Sequence, residues 1–185
     1  DFRASSFGYF GHMWELYALW AFVPAYLVAL YGPAPVASGD ISLLTFLVIA
    51  AGALGCIVGG LASLRWGSAR MAFLQLAASA ACCLLSPLAI LAPYPVALAF
   101  LLLWGIVVAG DSPQFSALNA RFAPPHLVGS ALTIVNCIGF AITIVSIQLL
   151  NATIGTLGPQ YLFLLLLPGP VLGLVALMRL VRAGA

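Results

Sequence analysis

The run ISLLTFLVIAAGALGCIVGGLASL occupies residues 41–64 and contains no charged residue. As an α-helix it extends about 36 Å at about 1.5 Å per residue. That is enough to cross a hydrocarbon core of about 30 Å. The run is continuous rather than alternating, which excludes a β-barrel. Gly52, Gly55, Gly59 and Gly60 recur along it, and such a small-residue face predicts close approach of a neighbouring helix. Comparable apolar runs lie on either side, giving six predicted helices at 6–31, 41–64, 70–92, 95–121, 127–151 and 159–180. The interruptions read as turns. They are Gly32-Pro33-Ala34-Pro35 with Ser38-Gly39-Asp40, then Arg65-Trp66-Gly67-Ser68, Ala92-Pro93-Tyr94-Pro95, Ala123-Pro124-Pro125-His126 and Gly155-Thr156-Leu157-Gly158-Pro159. The expected fold class is an all-α integral membrane protein, a six-transmembrane-helix bundle forming a single domain over 1–185.

Composition leads to the same class. Of 185 residues, 64% are hydrophobic and 5% charged, with a mean hydropathy of +1.19. Soluble domains carry roughly 25% charge, so this chain lacks the polar surface to cover a water-soluble core. The lipid bilayer is the partner that composition implies. Six arginines, no lysine and four acids give a net charge of +2, which leaves no basic patch for nucleic acid. Cys56, Cys82, Cys83 and Cys137 lie inside apolar runs without a CxxC spacing and are read as small core residues. No GxSxG, HExxH or phosphate-loop pattern occurs, so neither an enzyme nor a cofactor is expected. Asn151-Ala152-Thr153 fits a glycosylation pattern but abuts a helix end. The chain begins at Asp1 rather than Met, which reads as a processed chain or a fragment, and residues 1–6 lack the layout of a signal peptide.

Orientation follows from the arginines. Arg3 precedes the first helix, Arg65 and Arg70 flank the second link, Arg121 ends the fourth helix, and Arg179 and Arg182 end the sixth. With six helices all of them fall on one side. The positive-inside rule then places both termini in the cytoplasm.

Two acids lie at membrane depth. Glu15 is 12 residues from Arg3 and Asp111 is 10 from Arg121, so they sit about 18 Å and about 15 Å from the arginine-bearing surface. Ionisable groups at such depth are functional candidates. No arginine or lysine stands at their level to pair with them, and either carboxyl is a candidate to take up and release a proton. His12 is one turn from Glu15, Gln114 is one turn from Asp111, and Asn136 in the fifth helix reaches a similar depth. Trp14 and Tyr17, with Tyr9 and Trp20, offer either an aromatic wall for a solute or packing surface. His12 and Glu15 on one helix are too few ligands to define a metal site. Ser112-Pro113 predicts a break beside Asp111, with Pro24, Gly105 and Gly110 as further points of bending.

Three features of this sequence resemble the C-terminal half of a major facilitator superfamily transporter. Six helices with both ends inside form that family's half-unit. The link Gly60-Leu61-Ala62-Ser63-Leu64-Arg65-Trp66-Gly67-Ser68-Ala69-Arg70 is similar to the family's GxxxDRxGRR gating loop. Gly60, Arg65, Gly67 and Arg70 match, whereas Leu64 replaces the acid and Ser68 a basic residue. Gly8-Tyr9-Phe10-Gly11-His12-Met13-Trp14-Glu15 and Gly110-Asp111-Ser112-Pro113-Gln114 look like stretches of the cavity-lining helices of bacterial members.

The resemblance implies two inverted three-helix repeats, in which the first helix corresponds to the fourth. It implies secondary active transport of a small solute by alternating access, possible proton symport and a bacterial inner-membrane location. The partners it implies are a small-molecule substrate and a second six-helix half. The substrate arginine of nitrate-type members is missing from 41–64. Two other readings stay open: a self-contained six-helix half-transporter acting as a homodimer, and a structural membrane protein whose carboxyls serve only packing.

Overall fold

The structure, a computed structural model, describes residues 1–31 and 38–184. Its helices are α1 (Phe2–Tyr31), α2 (Ser38–Trp66), α3 (Ser68–Ala89), α4 (Tyr94–Gly110), α5 (Ser112–Phe122), α6 (Val128–Thr153) and α7 (Pro168–Arg182). A 3-10 turn at Pro125–Leu127 precedes α6, and a longer 3-10 stretch, Pro159–Leu166, precedes α7. Taken as membrane elements these make six spans. Helices α4 and α5 form the fourth span, and the second 3-10 stretch with α7 forms the sixth. The chain is an integral membrane protein of six helical spans, as its apolar runs predict.

The described turns hold in part, shortened by helix at their ends: Tyr94 and Pro95 open α4, and Pro159 opens the second 3-10 stretch. Ser38, Gly39 and Asp40 form the first turn of α2 rather than a loop, and Gly32-Pro33-Ala34-Pro35 lie outside the described residues. The Arg65–Ser68 link is a single residue, Gly67, between α2 and α3. Its φ of 83° lies where a side chain is strained and glycine is not. Its N–H donates to the Ser63 carbonyl at 2.9 Å, closing α2 as the chain reverses.

Packing follows the small residues. The closest crossings are α2 with α4 and α1 with α7. A Cβ placed on Gly55 would overlap the Ile106 carbonyl, and one on Gly105 would overlap that of Val48. Gly11 likewise faces the backbone of Gly169 and Gly173. Backbones at such range gain dispersion contacts that larger residues would prevent. Gly52 and Gly59 also serve this face, but Gly60 meets nothing within 4 Å. The expected four-glycine face therefore has three members, because Gly60 is rotated away from both neighbours. Gly105 and Gly110 are packing positions and not free bends. A Cβ on Gly110 would strike the Gln75 side chain.

Prolines interrupt the spans, and side chains repair the damage. Pro113 has no N–H for the Ala109 carbonyl four residues back; the Cys56 thiol donates to that oxygen at 3.4 Å. Pro87 similarly cannot serve the Cys83 carbonyl, which accepts the Ser86 hydroxyl at 2.8 Å. In the 3-10 stretch the donor should come from three residues on. For Leu165 that residue is Pro168, and the Trp14 indole N–H takes its place at 3.1 Å. In a bilayer no water is at hand for these carbonyls, so the repairs belong to the fold. Pro24 and Pro87 lie within unbroken helices, α1 and α3, whereas Pro113 follows the break at Asp111.

The core has two parts. One gathers Leu19, Tyr26, Trp104, Phe163 and their neighbours. The other gathers Tyr9, Leu76, Phe115, Leu177 and Leu180. The polar groups described below are enclosed between spans 1, 3 and 4.

Candidate functional site

Glu15 on α1 is completely buried. Its Oε1 accepts the Ser79 hydroxyl at 2.5 Å, the Trp104 indole N–H at 2.8 Å and the Cys83 thiol at 3.4 Å. The donors come from α3 and α4, so this one oxygen ties three spans together. Trp104 also reaches the Ser79 oxygen at 3.1 Å. The other oxygen, Oε2, has no hydrogen-bond partner among the described residues.

One turn earlier on α1, His12 is equally enclosed. Its Nδ1 lies 2.9 Å from Asp111 Oδ1, and its Nε2 lies 2.7 Å from the Ser112 hydroxyl. Tyr9 and Phe115 flank the ring, with centroids 6.0 and 5.7 Å away. Asp111 sits where α4 stops and α5 begins. The missing Pro113 N–H causes that stop, and the stop aims both Asp111 and Ser112 at the same imidazole. Asp111 Oδ2 is without a hydrogen-bond partner among the described residues.

Gln75 of α3 completes the enclosure beside this break. Its amide N–H donates to the Gly55 carbonyl at 3.2 Å, and its carbonyl oxygen is buried without a donor. Thus Glu15 Oε2, Asp111 Oδ2 and Gln75 Oε1 are all buried acceptors lacking a donor. Buried polar atoms are ordinarily satisfied. A cluster of acceptors without donors suits added protons or a polar guest.

The sequence expectations fare unevenly here. His12, Glu15, Asp111 and Gln114 are all buried, and His12 meets Asp111 across two spans. No arginine or lysine reaches this depth among the described residues, and the side chain that meets Asp111 is the His12 imidazole. Asn136 is exposed on α6 and makes no hydrogen bond to the cluster. The polar layer is therefore built by spans 1, 3 and 4, not 1, 4 and 5. Trp14 and Tyr17 are half-buried on the outer stripe of α1. Tyr17 packs edge-on to Trp20 at 5.3 Å and against Phe140 at 5.6 Å.

Sequence reasoning missed Ser79, Cys83, Gln75, Trp104 and Ser112. Gln75, Ser79 and Cys83 share one face of α3 at four-residue spacing, a signal present in the sequence. Of the cysteines, Cys82 and Cys83 are core residues and Cys56 is partly buried. Cys137 is exposed, because it lies on the outer face of α6.

In the predicted gating loop, Arg65 and Arg70 are exposed and form no ion pair among the described residues. Gly67 makes the turn that separates them, and Gly60 stands within α2.

The fold and this cluster define a polytopic membrane protein with a buried acid–imidazole network. No protein-family model, curated protein or solved structure matches the chain.

Proposed function

We propose that the chain is one six-helix half of a secondary active transporter, of the major facilitator type, that moves a small solute by alternating access. Glu15, His12 and Asp111 handle the coupling proton in this reading. The observation that carries it is the buried cluster itself: two carboxyls and an imidazole within the membrane, with Glu15 Oε2 and both Asp111 oxygens lacking a hydrogen-bond donor among the described residues. Each buried acceptor without a donor costs about 1–3 kcal/mol, and several gathered on spans 1, 3 and 4 support a role that supplies protons to them.

Two further observations support the reading. The cluster straddles the break at Asp111, where a span can bend without disrupting a continuous helix. The span contacts also have a paired pattern: 1 with 5 and 2 with 4, 1 with 6 and 3 with 4, 1 with 4, and 3 with 6. Exchanging spans 1, 2, 3 for 4, 5, 6 maps this set onto itself, as two inverted repeats would. Spans 2 and 5 are the least enclosed and are the faces for a second half. All six arginines lie at one end of the spans, which in this reading is the cytoplasmic side of a bacterial inner membrane.

The test uses the full natural protein in proteoliposomes containing a pH-sensitive dye, challenged with a panel of sugars, amino acids and organic ions. Solute-dependent proton uptake is expected, and it should vanish in Glu15→Gln. No proton movement with any solute, and no accumulation under an imposed pH gradient, would remove the transport reading.

A further inference from the structure

We infer that the groove between α1, α6 and α7 is a binding site for an anionic phospholipid. One acyl chain lies along the groove and the phosphate sits between Arg3 and Arg179. The groove measures about 600 Å³. Phe7, Phe10 and Trp14 form its floor, Val145 one wall, and Leu172 and Val175 the other. Close contact of Gly11 with Gly169 and Gly173 keeps α7 against the floor, so the trough is fixed by backbone rather than by flexible side chains.

Charge selects the occupant. Arg3 lies one turn before Phe7 on the same stripe of α1. Arg179 and Arg182 continue the stripe of Leu172 and Val175 on α7. All three arginines are exposed, and these stripes put them beyond the end of the groove nearest Phe7 and Val175. Asp1 lies 3.9 Å from Arg179, so three cations face one acid there.

Length agrees with this occupant. Arg3 to Trp14 is 11 residues, or about 16 Å of helix, which matches half of a hydrocarbon core of about 30 Å. The trough therefore runs from headgroup level to mid-bilayer, where an acyl chain ends.

Trp14 on the floor serves as the reporter, its emission taken as the difference between the full natural protein and its Trp14→Phe variant. Phosphatidylglycerol with brominated chains, diluted into unbrominated phosphatidylcholine, should quench Trp14 at much lower mole fraction than brominated phosphatidylcholine does. An arginine near the surface is worth about fivefold in affinity for anionic lipid. The Arg3→Gln/Arg179→Gln variant should therefore lose roughly twenty-fivefold in preference. Ala176→Phe, which fills the trough from its α7 wall, should reduce quenching by both lipids. Equal quenching by the two lipids in the unsubstituted protein would mean ordinary bilayer contact and overturn the site. Absence of quenching would show the groove covered by protein. Unchanged preference in the double arginine variant would overturn the headgroup assignment.

Discussion

His12 Nδ1 lies 2.9 Å from Asp111 Oδ1, joining the first membrane span to the break in the fourth. Neither residue has an exposed side chain, so the contact lies wholly away from water. Opening a buried pair by removing one member strands the other, typically at about 3–5 kcal/mol. His12→Ala and Asp111→Ala should each destabilise the purified protein by amounts of that order. The double variant should cost clearly less than the two together. Thermal unfolding in detergent would measure the cycle, and simple additivity would show that the contact carries no coupling.

Glu15→Gln preserves shape and can still accept the Trp104 and Ser79 donors, but it has no titratable proton. Driven accumulation of solute should fail while exchange down a gradient survives. If both activities fall together, Glu15 contacts the solute itself. If only thermal stability changes, the residue is a staple between spans 1, 3 and 4.

Glycine substitutions separate packing from loop function. Gly55→Ala places a Cβ against the Ile106 backbone carbonyl and should destabilise by about 1–3 kcal/mol or more. Gly60→Ala meets open space and should stabilise the helix by about 0.5–1 kcal/mol. Melting temperatures of the two variants should move in opposite directions.

Sidedness is open to direct labelling. In a background with Cys137→Ala, cysteines at Gly39 and Thr156 should react with an impermeant maleimide from outside intact cells. A cysteine at Ser68 should react only after permeabilisation. Labelling of Ser68 from outside would reverse the assignment of sides.

Much of this protein was legible in sequence because the bilayer imposes a simple rule: apolar runs of sufficient length must be helices with satisfied backbones. The runs alone determined six spans, and the arginines alone determined that the charged ends share one side. Depth, too, could be counted, since a helix advances by a fixed rise, and that count singled out Glu15 and Asp111. The break at Asp111 was visible in Ser112-Pro113 for the same local reason.

Tertiary structure decided what surrounds those carboxyls. Rotation about each helix axis is set by close contacts between distant segments, such as Gly55 with Ile106 and Gly11 with Gly169. No local rule supplies that rotation. It turns Ser79 and Cys83 of α3 toward Glu15, brings His12 to Asp111, and leaves Asn136 at the same depth on an outer face. It also decides which donor repairs each proline break, because Cys56 and Trp14 reach the Ala109 and Leu165 carbonyls from other spans. Sequence set the level of each polar group in the membrane; packing of small residues across the bundle chose its partners.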